Sequence, residues 1–260
     1  MEAANQRHEA RTAVVVQDER ASHPARRASG FLLWFLGLVV LMIIAWFVHG
    51  HPNPWPFELT ISRDIQAWQM PGWLKAILIF VSTFNDPTPS GVAAAVVVAA
   101  LLLARKIRPA LFLGYLILVG NSIDAIIGDI VGRPRPSPYL IHVTATLNFN
   151  SFPSGHTEHI VIFYGFLLFL TLTRPVREWK YAKWLIPLQI LMALDILLMG
   201  FSRVLEGEHW TLDVLGGYLS GALWLTLFIY LYFRRWTRNE PGAWQQGKTQ
   251  EKASTIPARA

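Results

Sequence analysis

The sequence predicts an all-α, polytopic membrane bundle with six transmembrane helices and both termini in the cytoplasm. Three observations predict it. Hydrophobic residues make up 53% of the 260 positions, far above a soluble domain. They gather into runs long enough to cross about 30 Å of hydrocarbon at roughly 1.5 Å per residue. Four clusters of basic residues flanking the runs fall on one side if six spans are counted.

Residues 1–30 are polar and carry Arg20, Arg26 and Arg27, the composition of a disordered cytoplasmic tail. Phe31–His49 is the first span. The tail before it is long and no small-residue cleavage site follows, so it reads as an uncleaved anchor, not a signal peptide. Residues 50–72 are rich in Pro and Trp, and Ile61, Ile65 and Trp68 recur at helical spacing, which suits a short helix in the interface. The stretch Trp73–Ala104 would measure about 48 Å as one straight helix, too long for one crossing, and "FNDPTPSG" (84–91) interrupts it. The expectation is an oblique Trp73–Phe84 at the outer surface and a span at Thr88–Ala104. The remaining spans are Ala110–Val131, Thr157–Thr173, Lys183–Phe201 and Leu212–Phe233, and the tail after Thr237 is polar. The membrane domain is thus residues 31–236, with tails at 1–30 and 237–260.

Charge orients the bundle. Arg26 and Arg27, then Arg105, Lys106 and Arg108, then Arg174, Arg177, Lys180 and Lys183, then Arg234, Arg235 and Arg238 share one side, which the positive-inside rule makes cytoplasmic. This distribution accounts for the net charge of +6 without nucleic acid as a partner. The chain has no cysteine, which excludes disulfides, thiolate metal sites and cysteine nucleophiles. Many of the eleven Trp flank apolar runs, as in an interfacial belt.

The outer segments 132–156 and 202–211 hold the chemistry. In "SFPSGHTEH" (151–159), Ser154 is a candidate N-cap, Gly155 allows close backbone approach, and the first amides of the helix attract anions. In "SRVLEGEHWTLD" (202–213), His209 and Asp213 stand at i and i+4. Asp213 can orient one ring nitrogen of His209 and leave the other as nucleophile or base. Arg203 precedes a short link that brings it near His209. "GDIVGRPRPSP" (128–138) adds Arg133 and Arg135, each before a proline that turns the chain away from helix. Arginines bind phosphate bidentately and can neutralise a phosphoryl group without a metal, so no metal or other cofactor is expected. The chemistry suited to this set is phosphoryl transfer through a histidine.

At these residues the sequence resembles the type 2 phosphatidic acid phosphatase superfamily of integral membrane lipid phosphatases. The family pattern is K-x6-R-P, then P-S-G-H, then S-R-x5-H-x3-D. Pro153-Ser154-Gly155-His156 matches the second block, and Ser202-Arg203, His209 and Asp213 match the third. The resemblance covers about residues 70–235. It implies that His209 attacks phosphorus, that Asp213 orients it, and that His156 protonates the leaving group and then activates water. It implies that Arg135, Arg203, Ser154 and the Gly155 amide hold the phosphoryl oxygens. The first block departs: with Arg135-Pro136 as R-P, Gly128 stands where the family has lysine. Arg133 is the candidate substitute cation, with a structural pair to Asp129 as the competing role.

The resemblance further implies a lipid phosphate substrate at the outer leaflet of a membrane, a bacterial inner membrane being the setting such substrates suggest. Undecaprenyl pyrophosphate, phosphatidylglycerophosphate and phosphatidate are the candidates. A non-catalytic lipid-phosphate binder and a lipid phosphotransferase are the alternatives. Glu158, His159, Asp124 and Asp195 read as polar packing within the bundle. Gly114, Gly120, Gly165, Gly216, Gly217 and Gly221 read as close helix contacts.

Overall fold

The computed structural model describes residues 29–238, so the expected tails lie outside the described residues except at their inner ends. Its helices are α1 (Ser29–Gly50), α2 (Pro56–Ala67), α3 (Gly72–Phe84), α4 (Pro87–Leu103), α5 (Ile107–Val131), α6 (Gly155–Leu172), the single turn α7 (Arg174–Arg177), α8 (Ile186–Leu205) and α9 (Thr211–Arg238). A 3₁₀ turn at Ala182–Leu185 leads into α8. No strand occurs among the described residues.

Five of these segments are long and apolar enough to cross a membrane: α1, α5, α6, Ala182–Leu205 and α9 to Arg234. A sixth span requires α3 and α4 together, which are bent by 67° where they meet. The bend falls at Asn85-Asp86, because Pro87 has no N–H to continue the ladder of α3. The expected interruption at 84–91 therefore narrows to two residues. Helix α3 is also no detached surface helix. It packs on α8 with Leu78, Val81 and Ser82 buried, and the Ser202 hydroxyl donates to the Leu78 carbonyl at 2.8 Å.

Helix α6 stands in the middle, against α5, α8 and α9. Its Ile162, Phe163 and Phe166 pack with Leu113 and Leu116 of α5 and Phe228 of α9. Helix α1 lies on the outside of α9, joined through Leu41, Val48 and Leu223, with the Trp34 indole donating to the Leu223 carbonyl at 2.9 Å. Lipid tails are as apolar as leucine, so helix association in a bilayer rests on close packing and not on water exclusion. The glycines of α9 supply the closeness. A Cβ on Gly217 would lie 2.5 Å from the Ser154 carbonyl, and one on Gly216 would lie 2.5 Å from the Phe152 ring. Both hold the first turns of α9 against the start of α6. Gly120, Gly165 and Gly221 are similarly crowded, whereas Gly114 faces open space and does not mediate a helix contact.

Helix α2 is amphipathic in the sense expected, but its inward face is the polar one. Glu58 and Ser62 are fully buried, while Phe57, Ile61 and Trp68 face outward. Large apolar side chains such as Leu111, Leu118, Ile130 and Leu197 likewise line the outer surface of the bundle.

Candidate active site

Four segments converge at one end of the bundle: the exit of α5 (132–137), the entry to α6 (150–156), the link from α8 to α9 (206–210) and the α3–α4 bend. The exit of α5 is non-helical through residue 137, as the two Arg-Pro pairs require. The α8–α9 link turns at Gly207, where φ is +67° and a Cβ would collide with the His142 carbonyl, so only glycine fits.

His209 lies just before α9 and is fully buried. Its Nδ1 is 2.8 Å from the Ser151 carbonyl oxygen. A carbonyl only accepts, so Nδ1 carries the hydrogen and Nε2 keeps a lone pair. Nε2 lies 3.2 Å from Nη1 of Arg135, a donor. This is the tautomer a nitrogen nucleophile needs. Burial pushes the His209 pKa down to about 4, with Arg135 and Arg203 adding to the effect and the nearby Asp213 opposing it.

The expected direct contact between Asp213 and His209 is corrected by the geometry. Asp213 Oδ2 stands 3.8 Å from Nδ1, because His209 precedes the helix and its ring swings to the Ser151 carbonyl. Asp213 instead accepts from the Ser151 hydroxyl at 2.6 Å and from the Trp210 amide at 2.9 Å, and pairs with Arg133 at 2.7 Å. It orients His209 through the residue whose carbonyl holds the ring.

Arg133 takes neither of its two expected roles. Its guanidinium is fully buried, with Nη1 on Asp213 and on Glu58 at 3.2 Å, Nη2 on Glu58 at 2.6 Å and Nε on the Pro52 carbonyl. Burial disfavours its charge, but the carboxylates of Asp213 and Glu58 outweigh that and raise its pKa. With every nitrogen engaged, it is a structural clamp and not a substitute phosphate cation. Asp129 is taken by Asn150, at 3.0 Å. Glu58 also accepts from the amides of Leu212 and Trp55, both at 3.0 Å, so one carboxylate ties α2 to the start of α9.

Arg135 has the placement of a phosphate ligand. Nε donates to the Phe149 carbonyl and Nη1 to the Glu208 carbonyl, the guanidinium lies 4.5 Å over the Phe149 ring, and Nη2 has no protein acceptor among the described residues. Burial and the facing Arg203 lower its pKa to about 10, which leaves it charged at neutral pH.

Arg203 is more encumbered than its motif suggests. It pairs with Glu208 and donates to Ser82 at 2.8 Å, with Glu206 at 3.6 Å and Asp86 at 3.8 Å. Its Nε is buried without a partner. Glu206 has a raised pKa, chiefly from burial. A phosphoryl oxygen reaching Arg203 competes with the Glu208 carboxylate.

At the start of α6, Ser154 occupies the N-cap position but its side chain makes no capping bond. Its hydroxyl accepts from Thr157 at 3.1 Å and its amide donates to the Asp213 carbonyl at 2.9 Å. That leaves the first helical amides, those of Gly155 and His156, as the anion-attracting groups. The Asp124 carboxylate closes one side of this turn: a Cβ on Gly155 would lie 3.0 Å from Asp124 Oδ2. His156 Nε2 is 3.2 Å from Oδ1 of Asp86, at the α3–α4 bend. Asp195 bonds Asn85 at 2.9 Å, the structural pairing expected of it. Glu158 is fully buried and faces Asp124, and His159 reaches Asn121 at the packing periphery.

The structure gathers His209, Asp213, Arg135, Arg203, Ser154, Gly155 and His156, all expected from the sequence, at this end of the bundle. Sequence reasoning misses Glu58, Asp86, Ser151 and Glu208. Glu58 carried one signal, an acid three residues after Trp55 at a Pro-initiated helix, which reads as capping alone.

Two solved structures share this fold. The transmembrane PAP2-type phosphatidylglycerolphosphate phosphatase from Bacillus subtilis is similar with a TM-score of 0.65 at 20% identity, over 77% of this chain and 96% of that one. Aquifex aeolicus LpxE is similar with a TM-score of 0.52 at 20% identity, over 68% of this chain and 96% of that one. With its apolar helices, the chain is an integral membrane protein of this architecture. Its residues 109–237, from the start of α5 to the end of α9, match the family model of the PAP2 superfamily.

Proposed function

We propose that the protein is a membrane lipid phosphatase that hydrolyses a phosphomonoester or pyrophosphate of a lipid through a phosphohistidine on His209, without a metal. The observation that carries this reading is His209 itself: a buried ring whose Nδ1–H is held by the Ser151 carbonyl and whose Nε2 lone pair faces Arg135. In this reading Arg135, the amides of Gly155 and His156, and Arg203 once freed from Glu208 hold the phosphoryl oxygens. His156 gives a proton to the leaving oxygen and later takes one from water. The residues on the basic side of the bundle support cytoplasmic termini and a site at the outer leaflet, as in a bacterial inner membrane. Undecaprenyl pyrophosphate, phosphatidylglycerophosphate and phosphatidate are the candidate lipids.

The test is phosphate release from a panel of these lipids in detergent with EDTA present. Wild type should release phosphate and His209→Ala should not. Equal release from both proteins would sink the proposal. Product analysis with a candidate sugar or lipid acceptor separates hydrolysis from phosphotransfer, and binding of the lipids without turnover would mark a non-catalytic binder.

A further inference from the structure

We infer that Asp86 is the carboxylate partner of His156, a positioning residue that completes a second acid–histidine pair across the site from His209. The inference rests on the phosphatase reading above. Asp86 stands at the N-cap of α4, followed by Pro87, where an aspartate normally accepts from the first amides of its own helix. Here it makes no such bond. Its Oδ1 lies 3.2 Å from Nε2 of His156 and 3.8 Å from Nη1 of Arg203. Pro87 and Pro89 have no N–H, so only the Thr88 amide is open to capping, and the carboxylate faces the imidazole instead.

The surroundings of His156 explain why a carboxylate is wanted. Arg203 of α8, with Nη1 3.8 Å from the same Asp86 oxygen, and Arg135 after α5, with Nη1 3.2 Å from His209 Nε2, bring two guanidiniums to the site. Cations near an imidazole oppose its protonation. A general acid in this position needs a negative partner, and Asp86 is the carboxylate in contact with the ring. In the first half-reaction the P–N bond to His209 forms as the bond to the leaving oxygen breaks. The leaving oxygen takes the proton from His156. In the second, His156 takes a proton from water as its oxygen attacks phosphorus, and the P–N bond breaks. The contact with Asp86 favours the imidazolium before the first step and after the second. The α3–α4 bend is thereby part of the site: it brings a group that lies outside the matched segment 109–237 to the start of α6.

The test compares kcat/KM, which reports phosphoryl transfer to His209, for an alkyl lipid phosphate and an aryl phosphate. A phenolate leaves without a proton, whereas an alkoxide does not. Asp86→Asn should lower kcat/KM for the alkyl substrate by about tenfold or more and leave the aryl substrate within about threefold. It should also move the high-pH limb for the alkyl substrate to lower pH by about one unit. Asp86→Glu should restore part of the loss. Equal losses on both substrates, or an unshifted limb, would overturn the inference while leaving the phosphatase reading intact. If wild type and His209→Ala are alike on both substrates, the phosphatase reading itself fails.

Discussion

Arg133 Nη1 lies 2.7 Å from Asp213 Oδ1, with both side chains fully buried, and this pair ties the exit of α5 to the first turn of α9. Glu58 closes the arrangement from α2, so one guanidinium answers two carboxylates. Removing the cation leaves two buried negative charges, which typically costs about 3–5 kcal/mol for one broken pair. Arg133→Met should therefore lower the thermal unfolding temperature in detergent sharply, and activity should fall with the folded fraction. Glu58→Gln keeps a hydrogen-bonding partner and should cost less. An Arg133→Met protein of unchanged stability with a raised KM would return Arg133 to the phosphate site.

The depressed pKa of His209 has a signed consequence. Between its folded value of about 4 and the ordinary histidine value near 6.5, the unfolded chain binds a proton that the folded site excludes. The stabilising contribution is present above about 6.5 and is lost as pH falls through about 4. The proposed nucleophile also stays neutral down to that range. The acid limb of kcat/KM should sit near 4 in wild type. A limb near 6.5 would mean that the ring is more solvated than its burial indicates.

Glu208 holds Arg203, and in the proposed reaction the substrate phosphoryl group has to displace it. Glu208→Gln should lower KM by roughly three- to tenfold, the net scale of one ordinary hydrogen bond freed from competition. The kcat should change less than KM. A raised KM would show that Glu208 serves to place Arg203 and not to compete for it.

Most of the fold was legible because hydrophobic length and charge asymmetry are local signals. The five uninterrupted spans follow from composition, and the motif residues converge because each sits at the end of a predicted span. What sequence could not show was which partner each charged group would choose. The motif register separates Arg135 from Arg133 in "GRPRPSP", but only the fold shows Arg133 buried against Glu58 of α2. Asp86 looked like part of a helix break, because a cap and a site residue read alike until the side chain's direction is known. Asp213 stood at the right spacing from His209, but His209 lies outside the helix, so spacing on a helical face did not apply.

Gly128 stands where the resembled family has lysine, and the structure shows what a side chain there would meet. It is buried near the end of α5, and an added Cβ would lie 3.4 Å from the Phe152 carbonyl and 3.6 Å from Asn150 Cβ, both in the range of ordinary contact. The segment 150–152 also carries Ser151, whose carbonyl holds His209. One turn back on the same helix, Asp124 sets a carboxylate beside Gly155, so a lysine on this face adds positive charge next to an acidic group. Gly128→Lys should therefore strengthen inhibition by inorganic phosphate and lower KM by roughly threefold or more, the upper range for a partly exposed ion pair. The measurement is phosphate inhibition of wild type and variant at matched folded fraction. Weaker phosphate binding together with a lowered kcat would mean that displacement of Asn150 and Ser151 outweighs the added charge. The absence of lysine would then be a requirement of how this chain holds its nucleophile.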